Sequence, residues 1–203
     1  MTDHLAELAA IASGCTSCRL ASTRTTVVFG DGDPDADVMF VGEAPGFHED
    51  QQGVPFVGAA GKLLERLLGE IGLKREEVYI ANVLKCRPPG NRDPLADEIE
   101  SCKVYLRKQL ELIDPRVVIT LGNFATKLLL KRDVGITQLR GQVFPWWHRQ
   151  LVPMLHPAAA LRGGERLMTQ MREDFAVVRR LMDQDAPAVA EADDPIEQLG
   201  LFS

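Results

Sequence analysis

Short, unbroken runs of aliphatic and β-branched residues recur along this chain, at 25–29, 37–42, 78–84, 116–121 and 150–155. Several, such as Val38-Met39-Phe40-Val41, are apolar at consecutive positions. A strand of that kind has to be covered on both faces, because its side chains alternate between them. Helical patterns separate the runs, at 59–71, 94–113 and 122–131, with a last one at 165–182 and a first at 2–13 that ends near Gly14. Strand and helix in alternation predict a three-layer α/β domain with a largely parallel sheet. Asp93-Pro94 ahead of Ala96-Asp97-Glu98 is a good helix start, with acidic groups set against the positive helix end. Residues 137–155, with Gly141 and Pro145, fit either a strand pair or a long loop. No internal repeat is present.

The 203 residues are 45% hydrophobic, enough for one domain with a sizeable core. No apolar run approaches the roughly 18 residues of a membrane span. Asp3 and Glu7 sit where a signal peptide would be basic, so a cytoplasmic setting is expected. The net charge of -6 looks wrong for a nucleic-acid binder until it is divided. Asp185, Glu191, Asp193, Asp194 and Glu197 stand in residues 184–203 without a single Lys or Arg. The body, residues 1–183, is therefore nearly neutral and free to carry basic patches toward a phosphate-bearing partner. The Ala-, Pro- and acid-rich tail, 184–203, is expected to be disordered. It ends in Gln198-Leu199-Gly200-Leu201-Phe202, either a frayed or docked terminus or a peptide that inserts Leu and Phe into a partner's pocket.

Two segments follow apolar runs and so belong to loops at strand ends. Gly42-Glu43-Ala44-Pro45-Gly46 is a glycine- and proline-shaped turn, and His156-Pro157-Ala158 places a histidine after Leu151-Val152-Pro153-Met154-Leu155. In an α/β sheet, loops at the carboxyl ends of strands converge on the crevice where ligands bind. Asn82, in the run 78–84, is a polar residue in an apolar strand and needs partners. Cys15 and Cys18 flank two residues, and Cys86 and Cys102 flank fifteen. Four thiolates suit a [4Fe–4S] cluster or a structural zinc ion. Structural zinc usually takes two tight knuckles and only one is present, so the cluster is the preferred reading, with zinc as the alternative.

These segments, with Glu49-Asp50, Gly53-Val54-Pro55-Phe56-Val57-Gly58-Ala59-Ala60-Gly61 and Tyr79-Ile80-Ala81-Asn82-Val83-Leu84-Lys85-Cys86-Arg87-Pro88-Pro89, resemble the family 4 uracil-DNA glycosylases, the iron–sulfur branch found in bacteria and archaea. The likeness runs from about Cys15 to Arg180 and lies in the order and spacing of the motifs. It implies a three-layer sandwich around a four-stranded parallel sheet, a cluster on Cys15, Cys18, Cys86 and Cys102, and cleavage of uracil from DNA after base flipping. A noncatalytic iron–sulfur DNA-binding or clamp-associated protein on the same fold is the competing reading. The relative that traps uracil-DNA through an extra histidine loop fits less well, since Pro88–Asp93 contains no histidine.

By this resemblance His156 donates to uracil O2, Asn82 reads the uracil edge, and Phe56 stacks on the base. Glu43, Ala44 and Pro45 form a turn against the base, and Glu49 lies near C5, where it excludes a thymine methyl. Ala44 stands where the family 1 enzymes carry a water-activating Asp, so Glu43 or backbone groups would hold the water. Leu161 is the expected wedge into DNA, and Arg162, Lys85, Arg87, Arg92 and Arg140 the expected backbone contacts. The terminal peptide resembles the motif by which bacterial DNA-maintenance proteins hold the sliding clamp, through Gln198, Leu199, Leu201 and Phe202.

Overall fold

Four strands, β2 (Val38–Gly42), β3 (Tyr79–Asn82), β4 (Val117–Leu121) and β6 (Arg149–Met154), run parallel in the order β3-β2-β4-β6. Three lie within expected apolar runs, and β6 begins one residue before its own. Two short antiparallel strands, β1 (Asp31–Gly32) on β3 and β5 (Phe144–Trp146) on β6, extend this core to a mixed six-stranded sheet. The computed structural model describes residues 2–184; Met1 and 185–203 lie outside the described residues, and with them the expected terminal peptide. No helix among the described residues is long and apolar enough to cross a membrane.

Side-chain alternation along the parallel strands divides the core into two layers. Phe40, Ile80, Ile119 and Val152 face α3 (Ala59–Glu70) and α7 (Pro157–Asp183), whose Leu64, Leu67, Phe175 and Val178 are buried against them. Phe40 and Phe175 stack with ring centroids 6.0 Å apart. On the other face, Met39, Val41, Ala81, Val118 and Leu151 pack with α4 (Ala96–Ile113), α5 (Asn123–Leu130) and α1 (Thr2–Ser13). Two further short helices are α2 (Phe47–Gln52) and α6 (Ile136–Leu139). The start of α4 is fixed by Glu98, whose Oε2 accepts the Leu95 N–H at 2.9 Å while Arg92 clamps both carboxylate oxygens.

Two expectations change, and one alternative is settled. Residues 25–29 are not a strand: the Asp50 carboxylate takes the Thr25 N–H at 2.9 and 3.1 Å, a donor that a sheet partner would otherwise use. The segment 137–155 contains a strand pair, β5 and β6, rather than a long loop. Residues 157–163 are helical, so α7 begins directly after His156 and is broken only at Gly164, where φ is 68° and ψ -160°. Pro157 at the first helical position and the His156 side chain as cap start the helix at that point.

Candidate active site

The carboxyl ends of β2, β3, β4 and β6 open into one cavity of about 690 Å³. Each contributes a wall: Glu43, Ala44, Pro45 and Gly46 after β2, Asn82 at the end of β3, Gly122 and Asn123 after β4, and His156 and Ala158 after β6. The chain passes from β2 out to β3 and returns to the other side of β2 at β4, the change of direction beside which α/β sheets bind ligands. Glu49, Phe56, Arg92 and Arg162 also line it, so nine of the sequence-derived site residues share one space.

His156 Nδ1 accepts the Ala158 N–H at 3.2 Å. A neutral ring that accepts at Nδ1 carries its proton on Nε2. Burial, reinforced by the Arg162 charge and only partly offset by Glu49, pushes the His156 pKa down to about 4. At neutral pH this side chain is therefore an uncharged donor at the start of a helix.

Asn82 is buried, and its Oδ1 has no hydrogen-bond partner among the described residues. A buried acceptor left unpaired costs about 1–3 kcal/mol, so it marks a place where a donor belongs. Gly42 keeps that atom where it is: a Cβ there would stand 2.3 Å from Asn82 Oδ1 and 2.9 Å from the Phe56 ring.

Phe56 has φ of 54°, an uncommon conformation for an aromatic residue. Long-range contacts hold it. Arg75 donates to the Phe56 carbonyl at 3.3 Å and the Pro55 carbonyl at 2.6 Å, while Glu49 accepts the Val57 and Gly58 N–H groups at 3.0 and 3.1 Å. At Gly61, in α3, a Cβ would collide with the Phe56 carbonyl oxygen at 1.7 Å. The Phe56 ring lies 5.6 Å from the His156 ring, at 26°. A base sandwiched between them would need about 7 Å, twice the stacking rise. The gap between the two rings is therefore too narrow to hold a base between them.

The carboxylate of Glu49 also accepts the Gly46 N–H at 3.1 Å and so ties the turn after β2 to the Phe56 loop. It is a bracket as well as a wall: the Gly46 contact is the local capping pattern of α2, while the ties to Val57 and Gly58 reach a separate loop. Glu43, half-buried, has its pKa raised by burial and by the Asp93 charge.

Expected DNA contacts differ in where they stand. Leu161 (49% exposed) and Arg162 stand beside the cavity. Arg87 lies at its rim, next to the lining residue Pro88. Lys85 is corrected: it is 1% exposed, and its Nζ donates inward to the Asn82 carbonyl at 2.8 Å and Gln109 Oε1 at 2.5 Å, so it cannot reach a phosphate. Arg92 is held by Glu98, and Arg140 by Glu173 and Asp174.

Away from the cavity, Cys15, Cys18, Cys86 and Cys102 line one small hollow and form no disulfide. The Lys85 backbone N–H points at Cys102 Sγ (3.2 Å) and the Arg24 guanidinium at Cys86 Sγ (3.5 Å). Burial pushes the Cys102 thiol up to about 11. N–H donors aimed at buried sulfur suit thiolates held by a metal better than neutral thiols. Among the described residues, no three His, Cys, Asp or Glu side chains converge closely enough to hold one ion.

Residues 29–177 match the uracil DNA glycosylase superfamily. The chain is 44% identical over 188 residues to the type-4 uracil-DNA glycosylase of Sulfurisphaera tokodaii, covering 88% of this chain and 85% of that protein. The type-4 enzyme of Archaeoglobus fulgidus is 43% identical, over 86% of this chain and 92% of its own. That of Thermotoga maritima is 46% identical, over 73% and 79%.

Proposed function

This chain belongs to the uracil-DNA glycosylase superfamily, and on that premise we infer that it is a type 4 enzyme hydrolysing the bond between uracil and deoxyribose in DNA, leaving an abasic site. We assign that activity to residues 1–183. The observation that carries the site assignment is the buried, unpartnered Oδ1 of Asn82 facing the same cavity as a neutral His156. Uracil presents a donor at N3–H and acceptors at O4 and O2. Asn82 Oδ1 accepts from N3–H and its amide donates to O4, whereas cytosine shows the opposite pattern on that edge.

Breaking the N-glycosidic bond leaves an oxocarbenium-like sugar and a uracil anion. Negative charge grows at O2, where the His156 Nε2–H stabilises it without a change of protonation state. Phe56 supports the base face, and Glu49, fixed by three backbone N–H groups, walls off C5 against a methyl group. Ala44 has no proton-accepting group, and Glu43 positions the water that adds to C1′. The four cysteines fit a [4Fe–4S] cluster better than one zinc ion, whose thiolates would all have to lie within about 2.3 Å of a single centre. Such a cluster, when bound, ties the segment after α1 to α4 and to the loop beyond β3.

The full-length protein is expected to release free uracil from a U:G duplex while leaving a T:G duplex intact. Folded protein with iron and sulfide bound that released none would overturn the assignment. Glu43→Gln keeps a group that holds water but cannot take its proton, so a loss of about tenfold in kcat is expected, or ~1.4 kcal/mol. Because the Glu43 pKa is raised, wild-type rate climbs with pH above the usual carboxylate range as the carboxylate forms. That limb disappears in the variant; its persistence would remove Glu43 from the reaction.

A further inference from the structure

We propose that Phe47, with Arg87, forms a stacking seat for the unpaired base next to the extruded uracil; this rests on the glycosylase reading. Phe47 is the one Phe, Tyr or Trp exposed among the described residues, at 52%. It follows Gly46 and precedes Glu49, both in the cavity wall. The Arg87 guanidinium lies 5.1 Å from its ring centroid, and Arg87 Nε donates to Asn91 Oδ1 at 2.7 Å. Asn91 and Pro88 also line the cavity, so the pair bridges two segments of one side of its mouth. On another part of the mouth stand Ala158 and Arg162, with Leu161 beside them.

The Phe47 ring meets His48 edge-on at 5.5 Å and has the Arg87 guanidinium oriented against it, yet half of the residue stays open to solvent. Arg87 makes no ion pair among the described residues, which leaves its charge available to a phosphate. A strand whose uracil occupies the cavity must carry its neighbouring nucleotides past this rim. Aromatic rings beside basic groups bind single-stranded bases with little sequence preference, because every base has a π-face. In a duplex that face is covered by the adjacent base pair. The seat therefore acts most on uracil in single strands.

The test uses full-length holoenzyme and single-stranded oligonucleotides with 2-aminopurine on the 5′ or the 3′ side of a noncleavable 2′-fluorinated deoxyuridine. Wild type is expected to quench the probe on one side. Phe47→Ala should abolish the quench and raise KM for uracil release from single strands about tenfold, with kcat within about twofold, the size expected for one lost base stack. Phe47→Trp should restore both, and U:G duplexes should respond less. Unchanged quench and KM in Phe47→Ala would overturn the seat, as would a loss confined to kcat, which would mark Phe47 as a support for the Gly46 turn. Absence of release by wild type would instead strike the glycosylase reading itself.

Discussion

His156→Ala is expected to slow uracil release by about 10²–10³-fold, the loss typical of removing one donor from a developing oxyanion. The substitution removes two things at once, since Nδ1 also caps the Ala158 N–H. Loss of a cap costs about 1 kcal/mol of stability, which is small beside the kinetic effect. His156→Asn separates them, because asparagine is a good cap but too short to serve the far side of the ring. Asn should recover thermal stability and not rate; near-normal kcat in His156→Asn would place the leaving-group donor elsewhere. The low His156 pKa adds a pH expectation. Its folded value, about 4, lies below the ordinary 6.5, so the unfolded chain binds the extra proton more readily. Its contribution to stability is complete above pH 6.5 and is lost as pH falls toward 4. Through neutral pH the donor stays uncharged, and release should show no inflection belonging to His156.

The parallel core could be read from the sequence because strands covered on both faces are apolar at consecutive positions, and these runs are short and alternate with longer helical patterns. His156 and Asn82 could be found for a related reason: one directly follows such a run and the other interrupts one, where a polar side chain either meets a ligand or lacks a partner. What stayed hidden depends on contacts distant in sequence. Lys85 sits beside a cysteine and looks like a surface cation, yet residues 78–86 are buried without interruption and Gln109 receives its ammonium. Glu49 resembles a solvated carboxylate that caps its own helix, but the Val57 and Gly58 N–H groups of the next loop also close on it. The unusual backbone of Phe56 is held by Arg75, from a different segment. The strands β1 and β5 have two and three residues, too few for any periodicity to show.

Asn82→Asp is expected to collapse the preference for uracil over cytosine. A site built around a buried hydrogen-bonding pair rejects the wrong partner by about 10⁴–10⁵, because mismatched groups are left unpaired. Asn82 offers one donor and one acceptor, and uracil matches both. An ionised carboxylate in its place keeps the acceptor for N3–H and loses the donor to O4. At a position this buried, however, desolvation favours the protonated acid. A neutral carboxyl group can donate to cytosine N3 while accepting from the C4 amino group, which is cytosine's own pattern. Weak cytosine release should therefore appear in Asn82→Asp and grow as pH is lowered, while uracil release falls. Asn82→Ala provides the contrast: it removes the readout without supplying the reversed pair, so uracil release falls and cytosine release does not rise. Equal uracil preference in Asn82→Asp and wild type would sink the edge readout, and cytosine release by Asn82→Ala would show that exclusion comes from cavity shape rather than from hydrogen bonding.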